Sequence, residues 1–452
     1  MAVRITRRRL LQSGVGLLVA ACAEPVPKGD DTGTAPSPSR SPEPDPWTPP
    51  GEEDDEAFAR GMQVGDATED GAVVSIRTDE PSLVLVLVRE AGEGWEEVSR
   101  SEPLAPQDGG LQLEVTGLDA DTAYTACFFS EDLSRRAVPT RFRTALAAGA
   151  SRVVVFGATS CMKQNQPWPN LSHAAAEDLD FLLLLGDTVY ADGAETKEAY
   201  RAFWDEALAT GGLRDVCART SLIATWDDHE VGNGWSIEDE GMEEQAAVAL
   251  GTYREALPAR DGGGWAGIWR TLRWGDAVEV FVLECRAEHR DGDYVSVEQM
   301  EWLKAGLLAS TARFKIVANS VPVTDFADTA IGDVMADERW QGYPAQRTEI
   351  LSFVRDNAIA GVLWVSGDFH FGLLAKVDAA GGPGEDAWEV LAGPSGSQLN
   401  PMVETLTDRD RFPVAFGKWN YTRFVADPGA GTIAVAWIGD DGLPIAERTL
   451  AL

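Results

Sequence analysis

Six short apolar runs in this chain each end on side chains that can hold a cation or move a proton. Arg152–Phe156 is followed by Ser160 and Cys161, and Phe181–Leu185 by Asp187 and Tyr190. Ser221–Thr225 is followed by Asp227, Asp228, His229 and Glu230, and Val278–Leu283 by Glu284 and Arg286. Phe314–Ala318 leads to Asn319 and Ser320, and Ile359–Val365 to Asp368 and His370. The chain has only 4 His, and two of them, His229 and His370, stand in these clusters. Carboxylates, imidazoles, a thiolate and a phenolate brought together without a cation would repel one another or stay uncompensated. Bound metals remove that cost. Asp and His suit hard and borderline divalent ions, whereas Cys and Tyr anions favour a ferric ion. Taken singly these features say little: Asp187 before Tyr190 is equally a capped strand-to-loop turn, and Cys161 alone is equally a small buried residue. The Asp368-x-His370 spacing puts both side chains on one side of an extended segment, whose period is two.

The runs alternate with amphipathic stretches such as Val297–Leu308 and Gln346–Asp356. That texture predicts a layered α/β domain with sheets covered on both faces. Ligands of open α/β sheets bind beyond the carboxyl ends of the strands, and here almost every run delivers a polar group to that edge. Before them, Phe58 to about Ala145 reads as all-β. Val73–Thr78, Leu83–Val88 and Leu111–Val115 are strand-like, and Tyr124 follows a Gly117–Thr122 turn. The pattern resembles a fibronectin type III-like sandwich. Tyr421–Leu452 returns to β patterning and is expected to complete a sheet. The expected divisions are therefore a leader (1–22), an unordered linker (23–57), a small all-β domain (58–146) and a catalytic α/β domain (150–452).

The leader carries Thr6-Arg7-Arg8-Arg9-Leu10-Leu11, a short apolar stretch from Gly14 to Ala21, and Val19-Ala20-Ala21-Cys22. This resembles a twin-arginine export signal ending in a lipoprotein box, with Cys22 as the lipidated residue. Export would place the chain in the periplasm, on the cell envelope as a lipoprotein, or in the medium. Membrane association is expected only through an anchor at Cys22. The Pro-, Ser- and Asp-rich tract after it cannot bury enough apolar area to order itself. The formal charge of -35 argues against a nucleic-acid surface. Of 5 Cys, four remain if Cys22 is modified; a Cys217–Cys285 disulfide is left open.

Together the pieces resemble the metallophosphatase superfamily, specifically the PhoD-type alkaline phosphatases and phosphodiesterases. The matching text is Ser160-Cys161, Gly186-Asp187-Thr188-Val189-Tyr190-Ala191-Asp192, Trp226-Asp227-Asp228-His229-Glu230 with Asn233, Leu283-Glu284-Cys285-Arg286, Asn319-Ser320-Val321-Pro322, Trp340-Gln341-Gly342-Tyr343-Pro344 with Arg347, and Gly367-Asp368-Phe369-His370. The resemblance implies a metallophosphatase-type β-sandwich core flanked by helices. It implies a ferric ion on Cys161, Asp187, Tyr190 and His370, with Asp187 bridging to calcium held by Asp368 and either Asp228 or Asn233; other divalent metals suit the same donors. His229 and Arg286 would be catalytic, and Lys163, Arg339 and Arg347 would hold substrate phosphate, although solvated surface charge accounts for such residues equally well. The implied reaction is phosphomonoester hydrolysis, a hydroxide formed at the cations attacking phosphorus directly. Phosphodiesterase or phospholipase D-like hydrolysis is the alternative within the family. A non-catalytic cell-surface binding lipoprotein is the alternative from another class. Three positions depart from the family pattern: Glu284 stands in place of Asp, Val74-Ser75-Ile76-Arg77 in place of a Leu-Trp-Thr-Arg-like strand, and Phe371-Gly372 after the late His.

Overall fold

A computed structural model of the chain describes residues 3–8, 47–92, 94–164, 166–290 and 292–452. Its α/β body is built on two facing sheets, and the six apolar runs divide three and three between them. In the first sheet Val154–Thr159, Phe181–Leu185 and Leu222–Thr225 are parallel neighbours, with Phe156 opposite Phe181 and Leu182 opposite Leu222. The antiparallel strands Asn420–Asp427, Thr432–Gly439 and Pro444–Ala451 extend it from Val154–Thr159 outward. The expectation that the last stretch completes a sheet is met. The second sheet runs Arg270–Trp274, Val278–Val282, Phe314–Ala318, Val362–Ser366, Trp388–Leu391, Gly372–Lys376, Val414–Phe416. Its central steps from Val278–Val282 to Trp388–Leu391 are parallel.

Continuous apolar strands can be buried on both faces, and these are. Between the sheets, Phe181 packs on Phe156 with ring centroids 4.9 Å apart and on Trp274 at 4.1 Å. Outside the second sheet lie helices Val297–Ala309 and Pro344–Asp356, which share a cluster with Phe281, Val317 and Trp364. Helices Lys197–Ala209 and Met242–Ala256 cover the first, Trp204 meeting Tyr253 edge-on at 5.9 Å.

The all-β region also has two layers. Met62–Gly65, Gly71–Arg77 and Gly110–Thr116 form one. Leu83–Ala91, Gly94–Arg100, Ala123–Ser130 and Thr140–Arg143 form the other. The Tyr124 hydroxyl accepts the Asp119 amide at 2.9 Å, the corner bond of Greek-key sandwiches. The first layer is not closed: Gly65 pairs in parallel with Leu222, so it runs on into the first sheet of the α/β body as one ten-stranded sheet. A buried ion pair, Arg270 with Asp66 at 2.7 Å, fastens the junction.

One sequence expectation needs correction, and one alternative left open is answered. The unordered linker does not reach residue 57, because its end finds partners: Glu52–Glu53 pairs with Arg135–Arg136, Glu53 meets Arg136 at 2.7 Å, and Trp47 packs edge-on against Phe129. The Cys217–Cys285 bridge does not form. Cys127, Cys161, Cys217 and Cys285 are all free and buried. Cys217 ends a helix, while Cys285 follows a strand of the second sheet and donates to Asn319 Oδ1 at 3.0 Å. Of the leader, Arg4–Arg7 forms an edge strand on Gly110–Thr116. Cys22, the leader apart from residues 3–8 and most of the linker lie outside the described residues. Among the described residues no helix is long and apolar enough to cross a membrane.

Candidate functional site

The loops that leave the strand ends meet in one place. The Cys161 amide donates to Gly186 O at 3.3 Å, and the Met162 amide to Asp187 O at 2.7 Å. Gly186, at φ 92°, lies so close to the next loop that a β-carbon there would come within 2.5 Å of Asp227 Cβ. Four expected ligands hold left-handed backbone: Cys161 at φ 55°, Asp187 at 55°, Asp368 at 66° and His370 at 57°. Non-glycine residues in that region cost on the order of 1–3 kcal/mol each and gather at functional sites. The extended-segment reading of Asp368 and His370 is therefore wrong. The strand stops at Ser366, and a turn in left-handed conformation aims the two residues.

Cys161, Asp187 and His370 each offer a donor atom within 4.8 Å of the other two, and so do Asp187, Asp228 and His229. Asp187 is common to both groups. The Tyr190 hydroxyl joins the first, 3.1 Å from Asp187 Oδ2 and 3.1 Å from His370 Nε2. Tyr190 also stacks on His229 with centroids 3.9 Å apart. Of the alternatives Asp228 and Asn233, Asp228 belongs to a donor group; the Asn233 backbone amide donates to Asp192 Oδ1 at 2.9 Å. Asp368 belongs to neither group, but its carboxyl lies in the field of Asp227, Arg286, Asp228 and Asp187.

The electrostatics follow from so much buried negative charge. Burial first, then Asp187, pushes the Cys161 thiol well above its usual range. Burial and Asp187 do the same to the Tyr190 phenol, and burial and Asp227 to the Asp368 carboxyl. Burial alone would lower His229, but Asp187, Asp228 and Asp192 outweigh it and raise it to about 10. Without cations the cluster balances its charge by holding protons. Metal ions bind by replacing such protons. A thiol, a phenol, imidazoles and carboxylates around one shared aspartate are a donor set that fits two cations.

A ring of residues to which the sequence reading gave no role holds these donors. Buried Glu230 accepts three backbone amides: Asp187 at 3.0 Å, Thr188 at 2.6 Å and Asp227 at 2.9 Å. Asp192 Oδ1 sits 2.8 Å from His229 Nδ1, leaving Nε2 as the free nitrogen. Asp227 takes Arg286 as a fork, Nε at 2.7 Å and Nη2 at 3.0 Å, and also accepts the Ser320 hydroxyl at 2.8 Å. Glu284, the departure from Asp, is buried and accepts the Trp226 indole at 2.6 Å and the Arg286 and Ala287 amides. The sequence signal for these roles was slight: each lies at the end of an apolar run or inside a quoted motif, but at least one partner of each is distant in the chain.

Of the four basic residues, Arg347 and Arg339 are buried rather than solvated. The Arg347 side chain donates to Val323 O at 2.7 Å and Val377 O at 3.2 Å and pairs with Asp378, so it ties loops together behind the second sheet. Arg339 donates to Gln341 Oε1, Gly332 O and Val334 O and lies over the rings of Phe326 and Phe369. Both are buried and bonded mainly to the loops around them, although Arg339 Nε is left without a hydrogen-bond partner. Lys163 is exposed, its Nζ 5.5 Å from the Tyr190 ring centroid. Arg286 lies within 3.8 Å of Asp228. His173 faces Asp440 O, and His289 bonds Tyr343, both outside the donor groups.

Facing sheets that bring such donors to their strand ends define the metallophosphatase type of fold. A solved structure of PhoD matches with TM-score 0.75 at 19% identity, covering 87% of this chain and 89% of that one. A purple acid phosphatase from yellow lupin (Lupinus luteus) seeds matches with TM-score 0.62 at 12% identity, over 86% and 73% of the two chains. The chain belongs to the PhoD-like phosphatase family, whose model matches residues 156–423, more than half of its length. Alkaline phosphatase D of Bacillus subtilis (strain 168) is 24% identical over 311 residues, which are 58% of this chain and 53% of that relative. The match thus spans about half the length of that curated relative.

Proposed function

We propose that this chain hydrolyses phosphate esters, monoesters first, at a two-cation centre organised by Asp187. The observation that carries this reading is the sharing of Asp187 by two compact donor groups. Family membership and the alkaline phosphatase relative support it. Cys161, Asp187, Tyr190 and His370 would hold a ferric ion; Asp187 and Asp228, aided by Asp368 or Asn233, would hold calcium or another divalent ion. When bound, such cations acidify water and withdraw charge from phosphoryl oxygens.

The chain's own residues then have defined tasks. Lys163, exposed beside Tyr190, attracts the anionic substrate to a protein whose overall charge would repel it. Arg286, fixed by the Asp227 fork, presents a permanent cation to the phosphoryl group. The bond from Asp192 to Nδ1 orients the His229 ring so that Nε2 can deliver a proton to the leaving oxygen. Attack on phosphorus is direct, with no covalent enzyme intermediate. The all-β region serves as a fibronectin type III-like module, for which its two layers and the Tyr124 corner bond are the support. Export by the twin-arginine route with lipidation at Cys22 is the proposed location, supported by the residue 6–11 and 19–22 motifs.

The test is elemental analysis and a visible spectrum of purified protein, followed by initial rates on p-nitrophenyl phosphate and bis(p-nitrophenyl) phosphate. Iron, a phenolate-to-iron absorption band that Tyr190→Phe removes, and turnover of the monoester are the expected results. Fully metal-loaded protein that turns over neither ester refutes the hydrolase reading. Colourless, iron-free, active protein refutes the iron assignment alone.

A further inference from the structure

Arg286 has one end already spoken for and one that is not. Its Nε and Nη2 are forked on Asp227, and the side chain is only 4% exposed. Its Nη1 faces Glu338 Oε2 at 3.4 Å. A charge-assisted guanidinium–carboxylate bond normally closes to about 2.7–2.9 Å, so this contact is loose. Arg286 does not need Glu338 for charge balance, because Asp227 supplies it. The Glu338 carboxylate also lies at the donor cluster: a β-carbon at Gly234 would be 3.5 Å from both of its oxygens, and the Gly234 amide donates to Asp228 Oδ2 at 2.5 Å.

The local backbone is built to let this side chain swing. The Glu338 carbonyl accepts the Tyr294 hydroxyl at 3.1 Å. The next residue, Arg339, is buried and clamps the loop through Gly332 O at 2.9 Å and Val334 O at 2.8 Å. The Glu338 side chain itself is 27% exposed, against 1% for Asp227. A fixed backbone carrying a partly wetted carboxylate on a loose contact is a displaceable group.

We propose that Glu338 holds the seat of a substrate phosphoryl oxygen on Arg286 Nη1, and that a tetrahedral oxyanion must displace it to bind. The proposal rests on the phosphoester-hydrolase reading. Glu338 is then a specificity-determining residue: it adds negative charge where the substrate arrives and leaves only anions that pair better with Arg286 able to enter.

The experiment uses the metal-loaded full chain and its Glu338→Gln, Glu338→Ala and Glu338→Asp variants, with p-nitrophenyl phosphate as substrate and inorganic phosphate as inhibitor. Glu338→Gln and Glu338→Ala are expected to lower both KM and the phosphate inhibition constant about tenfold, with kcat moving far less. Glu338→Asp is expected to stay nearer wild type. An unchanged or raised KM in both neutral variants, or a fall in kcat matching that in KM, overturns the proposal. If one neutral variant fails to fold, the other decides. Wild-type protein that hydrolyses no ester defeats the hydrolase reading alone. Calorimetric titration of wild type and Glu338→Gln with phosphate then decides the seat: tighter binding by the variant upholds it, equal binding overturns it.

Discussion

Glu230 offers the sharpest test of how the donor loops are held. Its Oε1 accepts the Thr188 amide, and its Oε2 accepts those of Asp187 and Asp227, all from full burial. Three converging amides require a group that only accepts. Glu230→Gln keeps shape and volume but turns one oxygen into an NH2 donor. The least damaging placement leaves the amide oxygen on Asp187 and Asp227 and aims the NH2 at the Thr188 amide. One bond to a charged acceptor is lost and a buried N–H is left unpaired, which costs about 2–3 kcal/mol. Burial and the Asp187 charge push the Glu230 carboxyl up, while the Asp227 and Thr188 amides pull it down. On balance the carboxyl is raised to about 8, so the substitution removes a charge only in alkaline solution and below that pH chiefly replaces an acceptor by a donor. Because those amides belong to the loop bearing Asp187 and the one leading to Asp228, cation affinity should fall about 10–100-fold, as for other groups that support ligands. Urea unfolding of chelator-stripped protein reads the first number, and metal retained after dialysis against a graded chelator series reads the second. A stripped variant within about 0.5 kcal/mol of wild type, with undiminished metal retention, would show that Glu230 does not shape the site.

Three further outcomes are expected. Asp187→Asn should empty both donor groups and cut turnover at least about 10²–10³-fold, read by elemental analysis and initial rates; full metal content in the variant contradicts the shared role. Arg270→Met should cost about 3–5 kcal/mol by stranding buried Asp66, while kcat per folded molecule stays at wild type; equilibrium unfolding and active-site titration separate the two. Dithiothreitol should leave the thermal midpoint of chelator-stripped protein unmoved, because the described cysteines are free, whereas a disulfide would contribute roughly 2–4 kcal/mol.

What the sequence made legible is what short-range pattern encodes. Phe181–Leu185 and Phe314–Ala318 are strands with the bounds read from their apolar runs, and Val297–Leu308 is a helix one residue longer than expected. The polar groups at the run ends do converge, because parallel strands in facing sheets point their carboxyl ends to one rim. What stayed hidden depends on partners distant in the chain. Arg347 and Asp378, or Arg286 and Asp227, meet through loops whose course no period announces. The same holds for Glu230, whose three amides come from two separate loops. The turn at Asp368–His370 was misread because a period of two presumes extended backbone, and both residues are left-handed. Nor does composition reveal that two sheets, rather than one, would share the six runs.

The join between Gly65 and Leu222 has a practical corollary. Leu222–Thr225 leads straight into Asp227 and Asp228, and the small β-layer is its lateral neighbour on that side. Trimming residues 58–146 to obtain a minimal catalyst would bare a raw, hydrophobic strand edge beside the donor loops, an invitation to intermolecular pairing. The amino-terminal module is better regarded as the outer wall of the catalytic body than as an appendage, and a stable truncation should begin before it.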